Sequence, residues 1–176
     1  AQISSGTQMK HTDTNASGAT ATLSFSTVAI NYNLAKTVTS NSNLETTTVS
    51  GTTYLKVPYQ LKITSTSSTQ TTVDEIVDVP PSSTSFSTGS ARLTDVNNSN
   101  VTLSDPTYIS SESSLNPRPM HFVGPFTVSS ATPVTLTYTM LLPNVSTTYT
   151  NQAYAIVGDL KVGATASTIP QVTVTS

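Results

Sequence analysis

The chain has no cysteine, no tryptophan and few charged residues among its 176 positions. The missing cysteine excludes a disulfide framework, a zinc–thiolate site and a cysteine nucleophile. Charged residues make up only 9% of the chain and the formal net charge is −2, so there is no basic patch to hold nucleic-acid phosphates. No apolar run approaches the ~18 residues of a membrane span. We therefore expect no nucleic-acid partner and no membrane span in the mature chain.

Serine and threonine take the place of the charged residues and make up about a third of the chain. Threonine is β-branched and suits a pleated, half-buried surface, while serine favours turns. Residues that favour helices are scarce, and alanine and leucine form no helical stripe. A chain of this length can bury a sufficient core without disulfides. The composition therefore predicts an all-β fold.

Alternation of apolar and polar residues predicts the strands. The clearest one covers residues 54–64, where Pro58 lacks a backbone donor and indicates an edge strand or a local irregularity. Further strands are expected within 19–34, 73–79, 92–103, 120–128, 134–142, 153–162 and 169–174. About eight to ten strands with regularly spaced turns are typical of a single antiparallel β-sandwich with Greek-key or jelly-roll connections.

Residues 1–18 are polar and predict an extended N-terminal arm in front of a sandwich domain over 19–176. The chain starts at Ala1, which a removed signal peptide would explain, so we expect an extracellular protein at the cell surface. Such an arm can serve as a donor strand that completes the sheet of a neighbouring copy, with Ile3 and Met9 as its apolar anchors. A head-to-tail contact of this kind does not close and propagates into a filament.

The sequence offers no convincing catalytic, cofactor or metal site, so we expect no enzyme activity and no cofactor. Neither His11 nor His121 has a second histidine or a carboxylate at a metal-ligand spacing, and both are predicted to be surface or strand-edge residues. No G-x-S-x-G elbow accompanies the many serines, and no glycine-rich phosphate loop is present.

The charged side chains on strands are predicted to be solvated. The densest acidic group, Asp74, Glu75 and Asp78, fits strand charge in water better than a calcium site, which would have to recruit Asp95 or Asp105 from loops. Some surface-filament and adhesin domains instead join a buried lysine to an asparagine or aspartate. Three lysines lie opposite the apolar faces of their strands and two lie in less defined segments: Lys56, Lys62 and Lys161, then Lys10 and Lys36. The pattern therefore disfavours a covalent cross-link and does not settle it.

The N-x-[ST] motif for N-glycosylation recurs in segments that are predicted to be arm or turn. A chain this rich in serine and threonine contains several such motifs from composition alone, so each one is weak evidence. The predicted glycosylation sites are Asn15, Asn97, Asn100 and Asn144.

The absent cysteine, the charge-poor Ser/Thr/Asn-rich composition, the glycosylation motifs and the N-terminal arm resemble subunits of archaeal extracellular filaments. These are the thread type of thermoacidophiles and the bundling pili related to bacterial biofilm-matrix fibres; residues 14–20 loosely resemble the start of the matrix-fibre family. The resemblance implies a β-sandwich subunit that donates its N-terminal strand to the next copy, in a filament for adhesion or biofilm formation. Two alternatives stay open: a carbohydrate-binding or adhesin module with exposed tyrosines, and a capsid or S-layer jelly roll.

Overall fold

A computed structural model describes residues 9–14, 20–25, 31–40, 43–164 and 171–174 of the chain. The described part contains β-strands and one short 3₁₀ helix, Ser110–Glu112. The strands are β1 (Met9–Thr14), β2 (Thr20–Phe25), β3 (Tyr32–Val38), β4 (Thr46–Val49), β5 (Thr52–Ser65), β6 (Thr71–Val79), β7 (Ser85–Phe86), β8 (Arg92–Thr94), β9 (Val101–Thr102), β10 (Met120–Val128), β11 (Val134–Pro143), β12 (Thr147–Thr150), β13 (Gln152–Val157), β14 (Leu160–Gly163) and β15 (Gln171–Val174). The all-β prediction is confirmed.

The chain divides into two compact units, Ala1–Asn31 and Tyr32–Ser176. In the first unit β1 and β2 form an antiparallel pair, in register from Met9 opposite Phe25 to Thr14 opposite Thr20. The predicted boundary between arm and sandwich, at residue 18, falls between these two strands. Part of the predicted arm is thus a strand that pairs within its own chain.

The second unit is a sandwich of two main antiparallel sheets. The larger sheet has the strand order β3-β5-β11-β8-β9, with β4 also paired to β5 and β7 to β11. The smaller sheet has the order β10-β6-β13-β14, and β12 and β15 form a separate two-stranded sheet. Because consecutive strands often lie in different sheets, residues distant in sequence meet between the sheets.

The two long predicted strands form the centre of the larger sheet. β5 and β11 pair over ten residues, from Ile63 opposite Val134 to Tyr54 opposite Pro143. Burial alternates along both strands, as the sequence pattern predicted. β5 is not an edge strand, since it has partners on both sides; Pro58 lies instead where its second partner changes from β3 to β4. Of the two predictions for Pro58, the local irregularity is therefore correct.

The core fills the space between the inner faces of the two sheets. Phe122 on β10 and Tyr138 on β11 meet across it with ring centroids 5.3 Å apart. Each buried apolar side chain of this kind stabilises the fold by about 1.5–3 kcal/mol. β10 is an edge strand of the smaller sheet, and its register shifts between Val123 and Phe126. A bulge of this kind bends an edge strand and limits its pairing with other chains.

No helix in the described residues has the length and apolar character that crossing a membrane requires.

Candidate functional site

Lys36 lies in the apolar interior between the two sheets, with 1% of its surface exposed. β3 is an edge strand of the larger sheet, and Lys36 shares the inward face of that strand with Leu34. In the sequence Lys36 lies in a less defined segment, and its burial was not predicted. The structure places this lysine at a core position in the alternation of β3.

Asp78 and Asn151 face Lys36 from the smaller sheet and are both fully buried. Asp78 lies on β6, the strand flanked by β10 and β13, and Asn151 immediately precedes β13. The Asp78 carboxylate accepts a hydrogen bond from Lys36 Nζ through Oδ1 and one from Asn151 Nδ2, at 3.2 Å, through Oδ2. The prediction that Asp78 is a solvated strand charge is therefore wrong.

Two stacked tyrosines complete what we call the buried lysine cluster: Lys36, Tyr59, Asp78, Tyr138 and Asn151. Tyr59 and Tyr138 are paired across β5 and β11, with ring centroids 5.9 Å apart. Lys36 Nζ lies 5.0 Å from the centroid of the Tyr59 ring and donates a hydrogen bond of 2.8 Å to the Tyr138 hydroxyl. That hydroxyl in turn donates to Asp78 Oδ2, also at 2.8 Å. All members of the cluster except Tyr59 thus form one connected hydrogen-bond network that bridges the two sheets.

Burial dominates the electrostatics of the cluster. It lowers the pKa of Lys36 to about 8, because an ammonium is poorly solvated there; the charge and hydrogen bond of Asp78 offset part of that effect. It also raises the pKa of Tyr138 well above 10, and the negative charge of Asp78 adds to that rise. Lys36 therefore loses its proton more readily than an exposed lysine does.

Two polar atoms of the cluster are buried without a hydrogen-bond partner among the described residues: the Tyr59 hydroxyl and Asn151 Oδ1. Burial and the charge of Asp78 raise the pKa of Tyr59, while the nearby Asn151 side chain lowers it slightly. An unpaired donor and an unpaired acceptor in one dry site cost free energy, so their presence calls for an explanation.

The cluster combines an amine, a carboxylate and a carboxamide, a set that can exchange protons and form an amide. No member exposes more than 2% of its surface, so an external substrate has no access. The reactive groups of this site can act only on one another.

Each polar member of the cluster continues the core-facing alternation of its strand, and this is the signal that our sequence analysis missed. Lys36 follows Tyr32 and Leu34 at a spacing of two, Asp78 follows Ile76, and Asn151 precedes Ala153. A charged or amide residue that is buried in phase with such an apolar series needs a hydrogen-bond partner in the interior.

A second polar group, which we call the His121 group, consists of His121, Glu75 and Glu112. His121 is 3% exposed and bonds to Glu75 Oε1 through Nδ1, at 2.8 Å, and to Glu112 Oε2 through Nε2, at 2.7 Å. The predicted surface or strand-edge histidine does lie on edge strand β10, but its side chain is buried. This arrangement holds the 3₁₀ helix against the smaller sheet. No group of three or more His, Cys, Asp or Glu side chains in the described residues is arranged to hold a metal ion.

Two further acidic residues, Asp95 and Asp74, serve local structure. Asp95 accepts hydrogen bonds from the backbone of Asn97 and Asn98 and, at 2.9 Å, from the nitrogen of Thr127. Asp74 is exposed and accepts from the nitrogen of Gly158 at 2.7 Å.

The predicted glycosylation sites that fall in the described residues are exposed. Asn97 and Asn100 lie in the turn between β8 and β9, and Asn144 follows β11. The Asn97 side chain donates a hydrogen bond of 3.0 Å to Thr127 Oγ1. Asn15 and the predicted anchor Ile3 lie outside the described residues, as do residues 16–19, and Met9 is the first residue of β1. Glycosylation and donor-strand anchoring remain predictions.

Comparison with known proteins gives a likeness of fold only. No protein-family model and no curated protein matches the chain. Solved structures with similar folds include a membrane-anchored protein from Corynebacterium diphtheriae, at 15% identity and TM-score 0.46, over 84% of this chain and 36% of that one. The pilus backbone protein RrgB of Streptococcus pneumoniae matches at 14% identity and TM-score 0.45, over 73% and 32%. BslA, a bacterial hydrophobin, matches at 14% identity and TM-score 0.42, over 82% and 93%. The chain spans about a third of the length of the first two, and we base no functional argument on these similarities.

Proposed function

We propose that the protein is a non-enzymatic structural subunit of an extracellular filament. The observation that carries this proposal is the buried lysine cluster, which ties the larger sheet to the smaller one through Lys36, Asp78 and Asn151. A filament subunit has to keep its two sheets together under load, and a network of charge-assisted hydrogen bonds across the core resists their separation.

The positions and contacts of the polar side-chain groups support a structural role. The buried lysine cluster is closed to substrates, and the His121 group ties a loop to a sheet. A carbohydrate-binding role would need exposed aromatic side chains in one cluster. Of the seven tyrosines only Tyr108 is exposed, and Tyr59, Tyr138 and Tyr149 belong to the core.

Assembly proceeds, in this proposal, by donor-strand complementation from the N-terminal unit. β1 is paired on one side only, with β2, among the described residues, so its other edge is free for a second chain. Ile3 and Met9 are the proposed anchors. Glycans on Asn15, Asn97, Asn100 and Asn144 would cover exposed turns, and the filament would support adhesion or biofilm formation at the cell surface.

Negative-stain microscopy of the purified full-length chain tests this function. The expected result is filaments, and the variant Thr12→Pro should abolish them, because proline removes a backbone donor from the middle of β1. Thr12→Val is the matched control: it keeps the backbone donor and should polymerise like the unmodified chain.

Three outcomes would contradict the proposal. Monodisperse monomers at all concentrations would exclude a filament subunit. Closed shells or flat lattices would favour the capsid or S-layer alternative. Filaments of Thr12→Pro that match those of the unmodified chain would exclude β1 as the donor strand.

A further inference from the structure

We propose that Lys36 and Asn151 become joined by an intramolecular amide bond between Lys36 Nζ and Asn151 Cγ, with Asp78 carrying the proton. This inference goes beyond the filament function and does not depend on it. It assigns a covalent self-modification to the buried lysine cluster, which has no access for any other reactant.

The geometry brings the reacting groups to one carboxylate. Asp78 accepts from the Lys36 amine through Oδ1 and from the Asn151 carboxamide through Oδ2. The amine and the carboxamide are therefore neighbours, although they belong to different sheets. Fixed neighbouring groups react as if they were at a very high concentration, about 10⁵ M or more in well-oriented cases.

The surroundings increase the fraction of Lys36 that is in the nucleophilic, unprotonated form. An amine attacks only through a free lone pair, which an ammonium lacks. Burial between Tyr59 and Tyr138 disfavours the ammonium, and Asp78 is in place to accept its proton.

The reaction balances without an outside reagent. The Lys36 lone pair attacks Asn151 Cγ, and a new C–N bond forms as the carbonyl becomes a tetrahedral oxyanion. Asp78 takes a proton from the attacking nitrogen and delivers one to Asn151 Nδ2, to which it is already hydrogen-bonded. The bond from Cγ to Nδ2 then breaks, ammonia leaves, and an amide joins the two side chains.

The two unpaired groups of the cluster, Asn151 Oδ1 and the Tyr59 hydroxyl, take part in this step. Negative charge develops on Asn151 Oδ1, which has no partner among the described residues. The Tyr59 hydroxyl is an unpaired donor in the same dry site, and a donor aimed at a developing oxyanion lowers the barrier. Tyr59 is thus placed to stabilise the oxyanion and Tyr138, which donates to Asp78, to orient the proton carrier.

Asn151 is a better acyl donor to the Lys36 amine than Asp78, the other carbonyl group in the cluster. Both carboxylate oxygens of Asp78 already accept hydrogen bonds, from Lys36, Tyr138 and Asn151. The Asn151 Oδ1 atom accepts no hydrogen bond among the described residues, so it can take up the negative charge of the tetrahedral intermediate.

Mass spectrometry of the unfolded full-length chain, produced in a bacterial cytosol, tests the bond. The expected mass is that of the polypeptide less one ammonia, and a protease digest should contain a branched peptide that joins Lys36 to Asn151. Lys36→Arg and Asn151→Ala should both restore the full mass. Lys62→Arg is the matched control: it changes an exposed lysine on β5 and should keep the deficit.

The mass of the chain without substitutions tests the proposed bond even if a variant fails to fold. A mass equal to that of the intact polypeptide would overturn the proposal. The loss of one water, with a peptide that joins Lys36 to Asp78, would overturn the assignment of Asn151. A deficit that persists in Asn151→Ala would do the same.

Discussion

Two groups of ionisable side chains are buried in the sandwich, and water reaches them to different extents. In the buried lysine cluster, the side chains of Lys36 and Asp78 are both fully inaccessible. In the His121 group only the imidazole is buried, since the side chains of Glu75 and Glu112 remain 26% and 23% exposed. Both groups connect distant parts of the chain through charge-assisted hydrogen bonds. In the first, burial lowers the pKa of Lys36 and raises the pKa of Tyr138.

The free-energy cost of removing one member of a polar group depends on whether water can hydrogen-bond to the partner that is left. A carboxylate at the edge of the sheet is rehydrated when its partner is removed, so the loss is close to that of the hydrogen bond. A charge in the interior cannot be rehydrated, so removing its partner leaves it buried and unpaired.

The largest effect is expected from Asp78→Ala. This change leaves the Lys36 amine and the Asn151 carboxamide without their shared acceptor, and it removes the proton carrier of the proposed bond. We expect a loss of about 3–5 kcal/mol in the free energy of unfolding, measured by urea denaturation.

Asp74→Ala is the control on the same strand. Its carboxylate is exposed and accepts one backbone hydrogen bond, so its removal should cost about 1 kcal/mol. Equal losses for the two variants would contradict the view that Asp78 has no replacement for its partners.

A smaller effect is expected from His121→Ala, which removes two hydrogen bonds to carboxylates that remain partly hydrated. The loss should be about 2 kcal/mol in the same urea experiment. His121→Gln keeps one nitrogen donor and should recover part of it. A loss as large as that of Asp78→Ala would remove the distinction between the two groups.

The smallest expected effect is a pH dependence of the free energy of unfolding. It is measured in Asn151→Ala, where Lys36 stays a free amine. Its pKa falls from 10.5 in the unfolded chain to about 8 in the folded one, so between these values the unfolded state binds more protons. Stability should therefore rise between pH 8 and pH 10, by about 1 kcal/mol per pH unit. Burial raises the folded-state pKa values of Tyr59 and Tyr138, so both phenols oppose folding only above pH 10.

The chain without substitutions should lack this rise, because its Lys36 nitrogen belongs to the proposed amide and does not titrate in that range. Urea unfolding at a series of pH values makes the comparison. A rise of equal slope in both proteins would show that Lys36 is a free amine in each.

The sequence predicted most of the strands and little of the site, for a physical reason. A period of two along 54–64 and 134–142 reports directly on the burial of β5 and β11. The same period placed Lys36 in phase with Leu34, which was enough to predict a buried lysine. Its partners could not be predicted, because Asp78 and Asn151 belong to the opposite sheet and only the strand order brings them there. His121 was missed in the same way: one of its two glutamates is 46 residues away in sequence.

Lys36 and Asn151 lie near the two ends of the sandwich unit in sequence, and all strands from β4 to β12 lie between them. An amide between their side chains turns that stretch of chain into a closed covalent ring. A protease that cut the ring at an exposed point, such as Ser82 or Ser83, would open it without releasing a fragment. The cut protein would remain one covalent molecule, heavier by a single water. The filament subunit proposed above would therefore stay in its filament after being nicked by a protease.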